Sequence, residues 1–231
     1  MPLQGILNTA RTLSFYARRQ EVTANNLANA STDGFKADRV LAHRLGGSTS
    51  PVPVQETDLR QGTFRETGRS LDMGLEGDGY FVVSTPQGER LTRGGSFRLD
   101  PSGRLADSQG DLLLGDGGPI VAQGSQIVVH GDGTVLVDGQ AAGRLRVVSP
   151  DDPGQMLKEG FGRYAPGGEV HPVDEDATKV RQGAVEEANL DPLLSMVDLV
   201  TIQRAYAANV DALKAMDSVL GAVTNEVGKV A

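Results

Sequence analysis

The chain has 231 residues, a formal net charge of −8 and no cysteine. The absence of cysteine excludes disulfides, thiol nucleophiles and thiolate metal sites together, and the acidic balance argues against binding to nucleic acid. Apolar residues form 39% of the chain and charged residues 23%, so neither wholesale disorder nor membrane insertion is expected.

The first segment carries an apolar stripe with alternating spacings of three and four residues. This spacing predicts a helix whose narrow face packs against another helix, as in a coiled coil. Glycine readily ends a helix in the left-handed conformation, so we expect the helix to end before Asp33-Gly34. A cleaved secretory signal is not expected at this end. The stripe consists of Leu3, Ile6, Ala10, Leu13, Ala17, Gln20, Ala24 and Leu27.

The middle of the chain alternates short β-prone runs with turn signals. Strands are predicted at 80–83, 96–99, 127–129, 135–137 and 144–148, and Asp-Gly dipeptides at 78–79, 116–117, 132–133 and 138–139 predict hairpins. Because no ten-residue helical pattern separates these runs, the sheet should be antiparallel. We therefore expect a β-rich domain over 76–148, with extended connectors over 46–75 and 149–187.

The last segment repeats the helical stripe with a single polar member, Asn209. Asp191-Pro192 is the predicted start, because aspartate caps free amides and proline fits the first helical position. The stripe consists of Leu199, Ile202, Tyr206, Asn209, Leu213, Met216, Leu220, Val223, Val227 and Val230.

These patterns predict an α+β fold in which paired N- and C-terminal coiled-coil helices frame an antiparallel, β-rich middle domain. Residues 1–45 and 188–231 would form a discontinuous helical core domain. Spacing alone leaves an alternative open, in which two amphipathic helices simply pack on each other within one domain. The narrowness of both stripes favours contacts with helices of other subunits.

The sequence carries little evidence of catalysis. It has no G-x-S-x-G, H-E-x-x-H or G-x-x-x-x-G-K-[ST] motif, and Gly77-Asp78-Gly79 is predicted to form a hairpin turn instead of a phosphate loop. His171 beside the acidic residues 174–176 is the most metal-like group, but a solvated acidic loop is the favoured interpretation. No catalytic, cofactor-binding or metal-binding residue is predicted. A rival hypothesis is a soluble β-rich binding or hydrolase domain with helical arms, with Asp72, Asp78 and Asp100 as its carboxylates.

Polar side chains on the two helices stand out instead. They are either solvated helix surface or contacts with neighbouring helices, where an amide can fix the register of packing. The positions are Asn25, Asn26 and Asn29 on the first helix and Gln203, Arg204 and Asn209 on the last.

Three stretches of the chain carry distinctive motifs: ANNLANASTDGFK near the start, GDGYFVV, TRGGSF and LDPSGRLADSQGDLLLG in the middle, and EANLDPLLSMVDLVTIQRAYAAN near the end. Together they resemble the flagellar rod and hook proteins of bacteria. ANNLANASTDGFK at 24–36 is similar to the N-terminal signature of that family, with Asp33 where proline is usual. EANLDPLLSMVDLVTIQRAYAAN at 187–209 is similar to the C-terminal signature, with Ala188 in place of the usual serine. Between them, GDGYFVV, TRGGSF and LDPSGRLADSQGDLLLG occur in the order found in the family.

The resemblance implies a structural subunit without cofactor that polymerises helically through its terminal helices, transmits torque and lines the export channel. Implied partners are other rod and hook subunits, copies of the chain itself and the flagellar type III export apparatus. The implied location is the periplasmic rod of the basal body, reached without a cleaved signal. The expected assembly interface consists of Leu3, Ile6, Leu13, Asn25, Asn26, Leu27, Asn29, Phe35, Asn189, Gln203, Arg204, Tyr206, Asn209, Leu213 and Leu220.

Two further expectations follow. The short chain lacks an obvious long insertion after the first helix, which favours a proximal rod subunit over a distal rod, hook or junction subunit. The terminal segments have few apolar contacts of their own, so we expect them to be largely disordered in the monomer and to fold on assembly.

Overall fold

A computed structural model describes residues 2–43, 52–174 and 177–227 and divides the chain into two compact units. Unit 1 comprises Met1–Ala28, Asp38–Asp58 and Asp191–Ala231, and unit 2 comprises Asn29–Ala37 and Leu59–Leu190. The chain crosses between the units at 28–29, 37–38, 58–59 and 190–191. Two helices therefore flank a β-rich middle, as the sequence predicts.

Unit 1 contains both long helices and a two-stranded ribbon. Helix α1 spans Pro2–Ala28 and helix α2 spans Pro192–Val227, and residues 5–6 of α1 lie against residues 215–220 of α2. The ribbon pairs β1 (Asp38–His43) with β2 (Val52–Thr57) in antiparallel register, with Leu41 opposite Val54.

The helix boundaries agree with the sequence signals. The Asp191 Oδ1 accepts hydrogen bonds from the backbone N–H groups of Leu193 at 2.8 Å and Leu194 at 3.2 Å, so the predicted cap of α2 is confirmed. Helix α1 ends at Ala28, and a turn leads from there to Gly34, whose φ of +68° suits glycine.

Unit 2 is built from short strands that pair antiparallel with one another. Its largest sheet has ten strands, with the path β15-β16-β6-β5-β9-β8-β7, while β10 pairs with β9, β14 with β5 and β17 with β14. Smaller sheets pair β11-β12-β13, β18 with β4 and β19 with β3.

The bounds of these strands are as follows. They are β3 Phe64–Glu66, β4 Met73–Gly77, β5 Tyr80–Thr85, β6 Gly88–Thr92, β7 Arg98–Leu99, β8 Leu105–Ala106, β9 Leu112–Gly115, β10 Gly118–Pro119, β11 Ile127–Val129, β12 Thr134–Val137, β13 Gln140–Arg144, β14 Val147–Pro150, β15 Leu157–Gly160, β16 Arg163–Ala165, β17 Val170–Pro172, β18 Thr178–Gln182 and β19 Ala184–Glu186. A 3₁₀ turn, Pro153–Gln155, precedes β15.

Strand β5 is the centre of unit 2 because both of its faces are buried. Phe81 and Val83 belong to one apolar cluster, whereas Tyr80 and Val82 belong to a second cluster that includes Tyr164. An unbroken apolar run is therefore what this strand requires, since alternation would leave one face polar.

The structure departs from the sequence predictions at three places in unit 2. Strands β4 and β5 belong to different sheets, so the turn at 78–79 is not a hairpin. The run 144–148 is split between β13 and β14. Residues 149–187 add strands to the sheets, because β16 pairs with β6 and β18 pairs with β4.

Candidate assembly site

Two stretches that carry the family resemblance meet strand β19 at a buried group of charges in unit 2. We call it the junction cluster; it consists of Lys36, Arg93 and Glu186. Lys36 comes from the N-terminal signature, Arg93 from the middle motif TRGGSF and Glu186 from strand β19. The side chains of Lys36 and Glu186 are only 1% and 0% exposed.

Each charge in the junction cluster has defined partners. The Lys36 Nζ lies 2.5 Å from the Glu186 Oε1 and also donates to the Arg60 carbonyl at 2.8 Å. The same Oε1 accepts from the Gly62 N–H at 2.9 Å. Because the carboxylate is buried, these bonds take the place of its hydration shell.

Arg93 binds the other side of the carboxylate. Its Nη1 lies 3.3 Å from the Glu186 Oε2 and donates to the Leu75 carbonyl, while its Nη2 donates to the Gly77 carbonyl at 2.7 Å. The guanidinium lies 5.2 Å from the centroid of the Tyr80 ring. Burial raises the pKa of Tyr80, and the nearby Arg93 charge opposes that rise.

Asn189, a predicted site residue, bonds three segments of unit 2 together beside this cluster. Its Oδ1 accepts from the Ala37 N–H at 2.7 Å and its Nδ2 donates to the Arg60 carbonyl at 3.0 Å. Its backbone N–H donates to the Phe35 carbonyl at 3.2 Å. Phe35 is buried, and the Lys158 ammonium lies 4.0 Å from the centroid of its ring. Two of the predicted residues, Phe35 and Asn189, therefore lie together.

Two glycines of the signatures are explained by close backbone approach. A Cβ on Gly34 would overlap the backbone of Arg93, and the Gly34 N–H donates to the Glu186 carbonyl at 2.7 Å. A Cβ on Gly95 would overlap the Met73 carbonyl. Both positions therefore require glycine for space.

Asp33 occupies the position at which the family usually has proline. Its Oδ1 accepts from the Arg65 Nη2 at 3.0 Å, and Arg65 also pairs with Glu187 at 3.3 Å. Partial burial nevertheless raises the pKa of Asp33, because desolvation outweighs the attraction of Arg65.

Asn26 connects α1 to the ribbon within unit 1. Its Nδ2 donates to the Asp38 carbonyl at 2.7 Å and its Oδ1 accepts from the Asp38 N–H at 2.9 Å. The Asp38 carboxylate in turn accepts from the Thr57 hydroxyl at 2.6 Å and the Gln55 amide at 2.9 Å. This paired bond gives Asn26 a role inside the subunit, in addition to the assembly role expected from the sequence.

The remaining predicted residues fall into two groups by burial. Half-buried positions are Ile6, Leu13, Leu27, Asn29, Tyr206, Asn209, Leu213 and Leu220, and exposed positions are Asn25, Gln203 and Arg204.

The predicted helical stripes need three adjustments. Asn29 lies one residue beyond the end of α1, in the turn, and not on the helix. Ala10, Ala17 and Ala24 are exposed in the single chain, whereas Val22, which lies off the stripe, is buried, so the buried face of α1 differs from the predicted stripe. The side chain of Leu3, like those of Val223, Val227 and Val230, lies outside the described residues.

A surface that the stripe analysis missed lies at the start of α2. Five large apolar side chains are exposed there, and Leu193 reaches 68%. The predicted stripe begins at Leu199 and follows another face of the helix, so it did not include them. We call this surface the apolar α2 face; it consists of Leu193, Leu194, Met196, Val197 and Val200.

The rival catalytic and metal hypotheses gain no support from the described residues. Asp72 is buried and pairs with Ser96 and Arg69, while Asp100 accepts bonds within its own turn, and the backbone bond from Arg104 lowers its pKa. The predicted group around His171 is not formed with Asp174, and residues 175–176 lie outside the described part.

The acidic neighbours of His171 come from adjoining parts of the sheet. The His171 Nε2 lies 3.1 Å from the Asp151 Oδ1, and ligand atoms of these residues and Glu169 lie within 4.8 Å of one another. All three side chains are exposed, as ordinary solvated sheet surface is.

Neither helix, over its described residues, has the length and hydropathy of a membrane span.

Comparison with known proteins matches the three stretches described above. Residues 6–36 match the family described as "Flagella basal body rod protein", and residues 74–137 match "Flagellar hook protein FlgE/F/G D1 domain". Residues 181–226 match "Flagellar basal body rod FlgEFG protein C-terminal". Together these matches contain Lys36, Arg93 and Glu186.

Individual relatives extend over most of the chain. The flagellar basal-body rod protein FlgF of Caulobacter vibrioides is 33% identical over 204 residues, covering 82% of this chain and 83% of the relative. The FlgF of Escherichia coli is 33% identical over 227 residues, covering 88% and 90%. The flagellar hook protein FlgE of Brucella melitensis is 35% identical over 168 residues, covering 65% of this chain and 42% of the relative.

The matched families and relatives are structural proteins of the flagellum, which confirms the expectation that the chain is not an enzyme. Their signatures coincide with the residues that build the junction cluster and with the cap of α2. The chain therefore belongs to the family of flagellar basal-body rod and hook proteins.

Proposed function

We propose that this chain is a structural subunit of the flagellar basal-body rod and occupies its proximal part. FlgF rod proteins related over more than four-fifths of both chains support the assignment to the rod. The observation that carries the assembly role is the apolar α2 face, because a single chain leaves these five large side chains in water.

Polymerisation proceeds through the terminal helices in this proposal. Ile202 is buried, and Leu199, Tyr206, Asn209 and Leu213 on the same heptad stripe are half-buried, which supports a coiled-coil pairing of α2 with α1. The apolar α2 face remains for helices of neighbouring subunits. A head-to-tail interface that does not close into a ring produces a helical polymer.

The remaining parts of the proposal concern the assembled rod. The helices form the inner tube and line the export channel, unit 2 faces outward, and torque passes through packed helices. The subunit reaches the periplasm through the flagellar export apparatus without a cleaved signal. Its partners are copies of itself and other rod and hook subunits. It binds no nucleic acid and does not insert into the membrane.

Quantitative mass spectrometry of purified basal bodies tests the location. Detergent-extracted particles are analysed before and after acid treatment that strips the filament and hook. Retention of a few copies per stripped particle is the expected result. Loss together with the hook would assign the chain to the hook or junction, and absence from both fractions would overturn the proposal.

A further inference from the structure

The methionines of the chain differ in exposure according to the unit in which they lie. Four of the five have described side chains. In unit 2, Met73 is 0% exposed in one apolar cluster, and Met156 packs against the other. In unit 1, Met196 and Met216 are 51% and 40% exposed, and both lie on helix α2. The thioethers that solvent reaches most freely therefore lie on a terminal helix.

Met196 belongs to the apolar α2 face. Leu193 and Val200, which lie one helical turn before and after it, are exposed as well. A methionine side chain is flexible and apolar, which suits a packed contact between helices. In the proposed rod this face lies against helices of neighbouring subunits, so the sulfur that water reaches in the free subunit is enclosed there.

Met216 lies where α2 meets α1. The Thr9 hydroxyl is 3.9 Å from its Sδ and also donates to the Gly5 carbonyl at 3.0 Å. A Cβ on Gly5 would lie 3.9 Å from the same sulfur, so the thioether faces the backbone of α1. Ile6 and Val219 line the same groove. The Met216 sulfur is therefore part of the contact between the two helices and has a hydroxyl donor beside it.

Peroxides convert such a thioether into a sulfoxide. Hydrogen peroxide transfers one oxygen atom to the sulfur: the S–O bond forms as the O–O bond breaks, the sulfur gives up two electrons, and water leaves. The product is polar, and a polar group enclosed in an apolar contact without a partner is unfavourable. Beside Met216, the sulfoxide oxygen would also be a stronger acceptor for the Thr9 hydroxyl than the thioether is.

We propose that Met196 and Met216 are modification sites at which a peroxide blocks assembly of the free subunit. Oxidation of Met196 makes the apolar α2 face polar, and oxidation of Met216 places a polar oxygen in the contact between α1 and α2. Assembly in turn protects Met196, because neighbouring helices cover it. The inference rests on the proposed function, since that function requires the face to be covered in the rod.

Peptide mass spectrometry after a timed treatment with hydrogen peroxide measures the reactivity of each sulfur. The full-length chain is treated in dilute solution and, separately, in purified basal bodies. In dilute solution, sulfoxide should form at Met196 and Met216 about tenfold or more faster than at Met73, the internal control. In basal bodies, Met196 should react about tenfold or more slowly than in the dilute chain.

A competition in cells measures the effect on assembly. Two differently tagged full-length copies, the wild type and the double variant Met196→Leu with Met216→Leu, are produced together in cells that lack their own copy and methionine sulfoxide reductases. Basal bodies are purified after growth with and without sublethal hydrogen peroxide. Peroxide should shift the ratio of incorporated copies about tenfold towards the double variant. General effects of peroxide act on both copies alike and leave the ratio unchanged.

Glutamine variants test the same consequence without an oxidant. Glutamine is polar and similar in length to methionine sulfoxide, whereas leucine is apolar and carries no sulfur. Met196→Gln should incorporate about tenfold less than Met196→Leu, and Met216→Gln less than Met216→Leu by a similar factor. Thermal unfolding of the dilute chain should be the same within each pair, which separates an assembly defect from misfolding.

The outcomes separate this modification from the proposed function. Oxidation of Met196 at equal rates in the two preparations, or an unchanged ratio of incorporated copies under peroxide, would overturn the proposal and leave the rod assignment standing. Equal incorporation of the glutamine and leucine variants at one position would overturn it for that site. Absence of the chain from basal bodies would overturn the proposed function itself.

Discussion

Glu186 shows how single residues define this subunit. It is fully buried between two cations, and it also accepts a backbone amide from Gly62. A lone carboxylate in this place would be strongly unfavourable, so the identities of Lys36 and Arg93 depend on it. The signatures identified the segments on which the family resemblance rests. The pairing of Lys36 with Glu186, 150 positions apart, could not be deduced from one sequence.

Lys36→Met tests this dependence. The change leaves Glu186 with Arg93 as its sole cationic partner, and removing one member of a buried pair typically costs about 3–5 kcal/mol of unfolding free energy. Urea unfolding followed by circular dichroism is a suitable measurement. Arg65→Ala is the control, because Arg65 is 51% exposed and surface pairs contribute at most about 1 kcal/mol. Equal losses for the two variants would contradict the role given to the cluster.

The burial of Asp33 should affect how the free energy of unfolding depends on pH. Its folded-state pKa is raised by burial, so the ionised form lowers stability at neutral pH and protonation relieves the loss. As pH falls from 7 towards 4, wild-type protein should therefore gain unfolding free energy relative to Asp33→Asn. Urea titrations at pH 7, 5 and 4 measure this difference.

Asp100 supplies a control of opposite sign. Hydrogen bonds lower its folded-state pKa, so its contribution is present above the unfolded value of 3.8 and disappears as pH falls through the lower folded value. Below pH 3.8, the free energy of unfolding of the wild-type protein should therefore fall relative to that of Asp100→Asn. A trend of the same sign for both variants would refute the assignment of Asp33.

Helix α2 has one feature that the sequence predicted well, its start, and one that the sequence analysis missed, its apolar face. Its start at Asp191-Pro192 was predictable, because capping chemistry is local. Its apolar face at 193–200 was not selected, because the heptad search follows a seam for one partner helix. In the sheets, turn signals at 138–139 located a two-residue hairpin, while partners such as β14 and β5 are distant in sequence and carry no local signal.

Val197→Asp tests the apolar α2 face. Val197 is 57% exposed in the single chain, so the monomer should change in stability by no more than about 0.5 kcal/mol. In the polymer the carboxylate would be buried without a partner, and incorporation into basal bodies should fall about tenfold or more. Immunoblots of purified particles measure incorporation, with Val121→Asp as the control. Normal incorporation of Val197→Asp would show that this face is not an interface.

At the scale of the whole molecule, burial is distributed unequally. Val22 and Ile202 are the only buried apolar side chains of unit 1 among its described residues, whereas unit 2 has two apolar clusters around β5. A unit with so few buried contacts opens more readily than one with a continuous core. The order of helix, β-rich middle and helix could be predicted from periodicity. The pairing of strands within residues 149–187 with earlier strands could not.

Hydrogen exchange in dilute monomer measures this difference. We expect amides of residues 1–30 to exchange close to the unfolded rate and those of β5 to be strongly protected. Assembly should protect the terminal segments. Strong protection of residues 1–30 in dilute monomer would contradict the expectation that they fold on assembly.

The four chain crossings between the units have a mechanical consequence. Three of the segments beside them, at residues 36–37, 60 and 189, are bonded to one another by Lys36 and Asn189. A pull on one of these three crossings is therefore shared with the other two, so that several hydrogen bonds within unit 2 must break together.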